Sequence, residues 1–272
     1  MSRHFDPHIH LYAICWNEER MLPYFFRHYE RWVERFVIYD NGSTDGSLAL
    51  LRARPDVEIR AFPWTHPDSF VLSQRALQNT CWRESRGKAD WVIVTAIDEH
   101  IHRSRMLPYL RACRRQGVTC IPGLGYEMIS DTFPEPDILL ADRLTRGAPC
   151  DLLSKLRIFD PEAVQEVNLV HGGHSAQPEG RIVYPEQDTM LLLHYKRLGL
   201  DYLLPRYALL STGLKDADWA NKWGYEYSWS GERLTAAFRE LQAAAVDVAA
   251  DSFQPGVSDA PRHRWWRQAS AV

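Results

Sequence analysis

The chain has 272 residues, of which 45% are hydrophobic and 25% charged, and its formal net charge is −3. This length and composition fit one folded domain, and the charge excludes a general attraction to nucleic acid. Five widely spaced cysteines without a Cys-x-x-Cys pair argue against a disulfide framework or a structural zinc site. Without a signal-peptide pattern or an apolar run of about 18 residues, the sequence predicts a cytoplasmic protein with no transmembrane segment.

The first half of the chain alternates predicted strands, which are rich in apolar and β-branched residues, with predicted helices, in which apolar residues recur at helical spacing. The predicted strands cover residues 11–15, 36–39, 57–62 and 91–97. The predicted helices between them cover residues 22–33, 48–54 and 70–86. Such alternation predicts an α/β fold with a mostly parallel sheet flanked by helices.

The second half is less regular, and we expect it to complete one domain over residues 1–250 with a helical C-terminal elaboration. Its predicted elements are a helix at 106–115, a strand at 118–121 with a turn at 122–126, an irregular loop at 134–149, strands at 156–159 and 190–194, a helical region from 200 and a last helix at 234–248. Residues 251–272 are predicted to form a loosely ordered tail because of their proline and glycine content.

Polar clusters follow three of the predicted strands. They are Asn17 with Glu18, Asp40 with Asn41, and Asp98 with Glu99. Because ligands of parallel sheets bind beyond the carboxyl ends of the strands, we expect all three clusters to share one edge. Acidic oxygens there suit a divalent cation. The common nucleotide loops are missing, since there is no Walker A motif and Gly123-Leu-Gly125 lacks a third glycine.

The order of these motifs resembles family-two glycosyltransferases of the GT-A fold, of the bacterial, soluble type. The similarity covers about residues 9–105 and includes the segment 40–47, Asp-Asn-Gly-Ser-Thr-Asp-Gly-Ser. It implies a metal-dependent, inverting transfer of a sugar from a nucleoside-diphosphate sugar, with a UDP-, dTDP- or GDP-linked donor. The implied acceptor is a hydroxyl of a sugar, a polysaccharide or a natural product.

The resemblance also implies roles for individual residues. Asp98 would ligate Mn²⁺ or Mg²⁺, and His194, which follows a later apolar run, would be a further ligand or a partner of the site. Asp40 would contact the nucleotide base, and Asn17, Glu18 and Asn41 would line the donor pocket. One departure concerns the family's Asp-x-Asp motif, whose first position is Ala96 here, so a contact to the ribose is lost or supplied elsewhere.

Further candidates rest on weaker patterns. The predicted catalytic base is one of Glu127, Asp131 and Asp151, with Asp151 favoured because it follows the 134–149 loop. Lys155, like Arg157, would meet phosphate oxygens. His171 and His174 flank two glycines, and such a loop can approach a substrate closely.

Three other functions remain open at this stage. A non-catalytic sugar-nucleotide binder is favoured by Ala96. A nucleotidyltransferase should show a glycine-rich basic loop after the first strand, which the chain lacks. A zinc hydrolase would use His100 and His102 together with later histidines. The basic and aromatic segment 262–267 also allows a peripheral contact with a membrane surface.

Overall fold

The structure is a computed structural model that describes residues 6–258 and 262–267. Its strands are β1 (Ile9–Cys15), β2 (Arg35–Asp40), β3 (Val57–Ala61), β4 (Trp91–Ala96), β5 (Glu99–His102), β6 (Cys120–Ser130), β7 (Arg146–Pro149), β8 (Lys155–Phe159), β9 (Val164–Glu166), β10 (Glu179–Gly180), β11 (Leu191–Leu198) and β12 (Val246–Asp247). Its α-helices are α1 (Leu22–Tyr29), α2 (Ser47–Arg52), α3 (Phe70–Gln78), α4 (Met106–Arg115), α5 (Leu140–Arg143), α6 (Leu200–Gly213), α7 (Asp216–Ala220) and α8 (Gly231–Ala244).

One large sheet organises the described part of the chain. Its strands run in the order β12-β7-β6-β8-β4-β1-β2-β3, and β11 pairs with both β6 and β5. The four longest pairings, β1 with β2, β1 with β4, β2 with β3 and β6 with β11, are parallel. The α/β fold with a mainly parallel sheet and flanking helices is therefore confirmed.

Alternating side chains of the central strands supply a core on each face of this sheet. In β1, Ile9 and Leu11 join a core with α1 and α4, whereas Tyr12 points to the other face and packs with Leu77 of α3. Both faces are apolar because both are covered by helices, which explains the continuous apolar run in β4. The carboxyl ends of β1, β2 and β4 align, with Ile14 beside Ala96 and Cys15 beside Asp40.

The chain reverses immediately after β4 instead of extending the strand. Residues 97 and 98 form a turn, and β5 then pairs antiparallel with β11. The Glu99 carboxylate fixes this turn, since its Oε2 atom accepts from the backbone N–H of Ala96 at 3.2 Å and from the Thr95 hydroxyl at 3.2 Å. Asp98 thus lies at the tip of the turn, at the carboxyl edge of the sheet.

The predicted turn at 122–126 is wrong, because β6 runs unbroken through this segment. Its glycines serve close packing: a Cβ on Gly125 would lie 2.3 Å from the backbone carbonyl carbon of Leu153. The predicted irregular loop at 134–149 also contains regular structure, namely α5 and β7. The predicted helix at 70–86 ends as α3 at Gln78, and a 3₁₀ segment follows at Cys81–Ser85.

Part of the predicted loose tail is docked on the domain. Asp188 is buried and accepts from the Trp266 indole at 2.9 Å and from the guanidinium groups of Arg264 and Arg267. These three donors converge on one carboxylate, which holds the segment 262–267 in place. None of the described helices is both long enough and apolar enough to cross a membrane.

Candidate active site

A cleft of about 660 Å³ lies at the carboxyl ends of β1 and β4. Its lining includes Ile14, the segment 95–99, Glu127 of β6 and His194 of β11. The loop 171–174 and the segment 222–227 also line it. The predicted edge therefore contains a real cavity, and residues from both halves of the chain line it.

Asp98, His194 and Glu127 form a row in the lining of the cleft. The His194 imidazole bridges two carboxylates, with Nε2 lying 3.2 Å from Oδ2 of Asp98 and Nδ1 bonded to Oε1 of Glu127. Arg197 donates from Nε to the other oxygen of Glu127 at 3.0 Å. The two predicted metal residues are thus brought together, although 96 positions of sequence separate them.

The electrostatics of this row favour charged side chains. Burial opposes the imidazolium form of His194, but the carboxylates of Glu127 and Asp98 outweigh it and raise the pKa of His194 to about 10. Burial likewise opposes the ionised form of Glu127, but His194 and Arg197 outweigh it and lower the pKa of Glu127 to about 2. Against the same opposing burial, His194 lowers the pKa of Asp98.

A second buried network supports the segment that carries Asp98. Glu99 is 2% exposed and accepts from Lys155 Nζ at 2.9 Å and from Arg157 Nη2 at 2.8 Å. Lys155 therefore lines the cleft as predicted, but its ammonium group is already paired with Glu99. Burial lowers the pKa of Lys155, and the nearby carboxylate only partly compensates.

The cluster that follows β1 is held by α6. Arg206 donates to the carbonyl of Asn17 at 2.8 Å and to the carboxylate of Glu18. Asn17 adopts a positive φ of 54°, and its side-chain oxygen accepts from the backbone of Thr44 at 2.7 Å. Of the two residues, Glu18 lines the cleft, while Asn17 links the ends of β1 and β2.

Asp40 and Asn41 have separate places at the end of β2. The Asp40 carboxylate accepts from the backbone N–H groups of Gly42 at 3.0 Å and Ser43 at 3.1 Å, so it stabilises the turn. It is absent from the lining of both cavities, whereas Asn41 lines both. The second cavity, of about 430 Å³, adjoins the cleft between Trp16 and Trp64.

The loop with two histidines forms a roof over one side of the cleft. The His171 ring stacks on Trp223, with centroids 5.3 Å apart, and so joins the 171–174 loop to the 222–227 segment. His174 Nδ1 donates to the carbonyl of Leu152 at 2.6 Å. Burial, assisted by the charge of Lys155, lowers the pKa of His174 to about 4. Both predicted histidines therefore lie at the cleft.

None of the three predicted bases is a free carboxylate in the cleft. Asp151 is bonded to Arg262 Nε at 2.6 Å and to the backbone N–H of His263 at 3.0 Å, outside the cleft lining. Asp131, which directly follows β6, accepts a hydrogen bond from the side chain of Gln242 in α8. Glu127 lines the cleft but is engaged by two cations. The partners of Asp151 and Asp131 come from distant parts of the chain, so no local sign of them is visible in the sequence.

Several groups at the cleft were missed in the sequence. Lys196 donates to Glu226 at 3.1 Å and to the Tyr227 hydroxyl at 2.9 Å. The signal for Lys196 was a pair of cations, Lys196 and Arg197, that follows His194 after one intervening residue. Polar residues at the end of an apolar strand are the pattern that identified Asp98. Glu226 lies in an aromatic segment and carries no comparable signal. Of the described carboxylates that line the cleft, Glu226 has the most exposed side chain, at 31%.

The histidines proposed for a zinc site do not assemble one. His100 is fully buried and stacks on His28 in the core, with centroids 4.7 Å apart. Over residues 6–258 and 262–267, no group of three or more His, Cys, Asp or Glu side chains is arranged to hold a metal. The turn at 97–98 explains this difference, because it removes His100 and His102 from the face that carries Asp98.

The cleft lies at the carboxyl edge of a mainly parallel α/β sheet, and acids, an imidazole and paired cations line it. Such an arrangement defines an enzyme-like site for an anionic ligand. A family model described as Glycosyltransferase family 92 matches residues 16–230. The chain therefore belongs to glycosyltransferase family 92. The broader prediction of a glycosyltransferase is confirmed, and the narrower resemblance to family two is corrected to family 92.

Solved structures of glycosyltransferase type show weak similarity. Glucosyl-3-phosphoglycerate synthase from Mycobacterium tuberculosis, in complex with Mn²⁺, UDP and glucosyl-3-phosphoglycerate, is 15% identical over 44% of each chain, with a TM-score of 0.30. S. aureus TarS 1–349 in complex with UDP-GlcNAc is 11% identical over 75% of this chain and 66% of that one, with a TM-score of 0.40. The chain spans less than two-thirds of both. No curated protein sequence matches it.

Proposed function

We propose that the chain is an inverting glycosyltransferase that moves a sugar from a nucleoside-diphosphate sugar to an acceptor hydroxyl. The observation that carries this proposal is the pair of Asp98 and His194, 3.2 Å apart at the strand ends and at the base of a large cleft. Three cations from β11 and α6, namely Lys196, Arg197 and Arg206, line the same cleft. Positive charge of this kind suits a donor diphosphate.

A divalent cation, Mn²⁺ or Mg²⁺, fits the donor set of this pair. Asp98 would offer a carboxylate oxygen, and His194 would offer Nε2 once the cation displaces the proton that the raised pKa of this imidazole keeps on the ring at neutral pH. Glu127 binds the other ring nitrogen, as carboxylates behind metal-ligating histidines commonly do. Because the described residues supply only two such ligands, donor phosphate oxygens would have to complete the coordination. When bound, the cation would supply positive charge against the departing diphosphate.

The nucleoside of the donor is assigned to the cavity between Trp16 and Trp64. Indole rings offer stacking surfaces for a base, and Asn41 lies between this cavity and the cleft, with its side-chain oxygen bonded to the Trp64 indole at 2.9 Å. Asp40 acts from behind, since its carboxylate holds the turn that carries Asn41. This placement keeps the predicted region of the base pocket and changes the contacting residues.

Glu226 is our candidate for the catalytic base. Its carboxylate is the most accessible of those described in the cleft, and Lys196 holds one of its oxygens. Burial raises its pKa, but Lys196 outweighs this and keeps the pKa below its ordinary value, so the carboxylate is ionised at neutral pH. It would accept the proton of the acceptor hydroxyl as that oxygen attacks the anomeric carbon and the diphosphate leaves.

Nucleotide binding and turnover test the proposal directly. Calorimetry with UDP, dTDP and GDP, with and without Mn²⁺, should identify one diphosphate whose affinity the cation increases. The matching nucleotide-sugar should then release that diphosphate slowly in water and faster with an acceptor. Binding without any release would favour the sugar-nucleotide binder suggested by Ala96, and no binding by any of the three would reject both functions.

A further inference from the structure

Two cations on β8 share one carboxylate under the roof of the cleft. Lys155 and Arg157 alternate along the strand and so face the same side, and both bond to Glu99. Their side chains are 7% and 3% exposed. Asp98, the neighbouring acid, is already paired with His194. The group of Lys155, Arg157 and Glu99 therefore carries one positive charge in excess, away from water.

Hydrogen-bond donors in the same place have no partner. Nε and Nη1 of Arg157 are buried, and neither bonds to any described residue. Gln78 of α3 is 6% exposed and lines the same cleft, so its amide is available to a ligand there. Buried polar groups of native proteins are almost always paired. A buried guanidinium edge that remains unpaired beside a cavity indicates a ligand that supplies the acceptors.

Of the two glycines in the roof, Gly173 lies over Arg157, while Gly172 lies against the ring of His174. Gly172 and Gly173 have positive φ values of 68° and 66°, and a Cβ on Gly173 would lie 3.0 Å from Nη1 of Arg157. The backbone of the loop therefore closes over the unpaired donors, and a ligand reaches them when this short loop shifts. Glycine permits such a shift at low conformational cost.

On the basis of the proposed function, we infer that the pocket of Lys155, Arg157 and Gln78, under the Gly172–Gly173 roof, binds a carboxylate or phosphate group of the acceptor. An uncharged hydroxyl would leave the excess charge uncompensated, whereas an anion would neutralise it and accept from both free donors of Arg157. The donor diphosphate has its place at Asp98 and His194. The Arg157 side chain is more buried than those of Asp98 and His194, being 3% exposed against 19% and 11%.

Binding of simple sugars to the full chain tests this inference without a donor. Calorimetry or ligand-observed NMR would compare glucuronate and glucose 6-phosphate, as carboxylate and phosphate probes, with uncharged glucose. We expect at least one acidic probe to bind at least tenfold more tightly than glucose. The preferred probe distinguishes a carboxylate acceptor from a phosphate acceptor.

Arg157→Lys is the main variant, because it keeps the charge that pairs with Glu99 and removes the planar set of donors. It should weaken the acidic probe at least tenfold and leave glucose unchanged. Gln78→Leu removes only the amide and decides the question if Arg157→Lys does not fold. Arg83→Lys makes the same chemical change in an exposed ion pair with Glu166 and should bind like the parent.

A parallel titration with UDP and Mn²⁺ separates this inference from the proposed function. If an acidic probe binds through Arg157 but no nucleoside diphosphate binds, the pocket stands and the glycosyltransferase proposal fails. If the acidic probes bind no better than glucose, the inference is overturned. It is also overturned if Arg157→Lys weakens UDP instead, since the pocket would then serve the donor.

Discussion

Arg206 of α6 and Glu18, which follows β1, form a buried ion pair across 188 positions of sequence. Both residues are less than one-tenth exposed, and the same guanidinium also donates to the carbonyls of Trp16 and Asn17. One side chain from the C-terminal half thus fixes the backbone beside the proposed nucleoside cavity. The helical elaboration is therefore part of the site, because it positions the strand ends.

Removal of Arg206 should destabilise the fold. Burial raises the pKa of Glu18 to about 8 although Arg206 opposes the change, so the effect should be measured at about pH 9. There Arg206→Met would leave Glu18 buried without a counter-charge, and breaking a buried pair in this way typically costs about 3–5 kcal/mol. The double variant Glu18→Gln with Arg206→Met should recover part of that loss, since no charge remains buried. Urea denaturation of the two variants and the parent measures both effects. Equal stability of the single and double variants would contradict a direct ion pair.

Asp98 should carry the cation-dependent part of nucleotide binding. We expect Asp98→Asn to remove the gain in UDP affinity that Mn²⁺ gives, by at least tenfold, or about 1.4 kcal/mol. The amide keeps the size of the side chain, and Glu99 still fixes the turn, so the melting temperature should change little. Asp137→Asn, an exposed acid paired with Arg27, is the matched control. A retained Mn²⁺ effect in Asp98→Asn would reject the metal role.

Glu226 should act in the chemical step rather than in donor binding. Glu226→Gln keeps a hydrogen-bond acceptor for Lys196 but cannot take a proton, so we expect kcat to fall about 10²–10⁴-fold. Affinity for the nucleoside diphosphate should stay within about twofold. Glu232→Gln, an exposed position on α8, controls for the change of charge. Unchanged turnover in Glu226→Gln would return the search for the base to the other carboxylates of the cleft.

Local patterns predicted the sheet and the positions of Asp98 and His194, because a strand buried on both faces is visible in sequence and its polar end follows directly. Pairings across the chain were not predictable in this way. Asp151 looked like a free acid at the end of a loop, yet Arg262 binds it from 111 positions away. The Gly125 segment resembled a turn, since nothing local indicates that Leu153 packs against it.

The buried histidines should make stability depend on pH. Burial lowers the pKa of His28 to about 3, although its bond to the carbonyl of Ile101 opposes the change, and burial lowers the pKa of His100 as well. Below about pH 6.5 the unfolded chain binds these protons and the native protein does not. The stability they contribute is therefore complete above pH 6.5 and declines as the pH falls toward 3.

The free energy of unfolding should thus decrease between pH 6.5 and 5, by up to about 1.4 kcal/mol per pH unit for each such histidine. His28→Gln should remove the contribution of one proton, so the slope should fall by up to about 1.4 kcal/mol per pH unit. His66→Gln, at an exposed position, should leave the slope unchanged. Denaturant titrations of the parent and His28→Gln at several pH values provide the measurement, and equal slopes for the two would show that the His28 ring binds a proton in the native state.

Gly125 should be intolerant of even one methyl group. An added Cβ would lie 2.3 Å from the carbonyl carbon and the Cβ of Leu153, and no rotamer change moves a backbone atom away. Gly125 also accepts from the N–H of Cys150 at 3.0 Å and donates to the Ser154 hydroxyl at 3.1 Å, so the clash would disturb the segment that leads to Lys155. We expect Gly125→Ala to lower the free energy of unfolding by at least about 2 kcal/mol, within the usual range for overpacking. Gly231→Ala is the control, since its Cβ would meet only Leu204 at 3.8 Å at the start of α8. That variant should be neutral or slightly stabilised.

Urea midpoints at constant m-value measure the difference between Gly125→Ala and Gly231→Ala. Equal stability of the two variants would mean that the 150–154 segment does not pack against β6 as described.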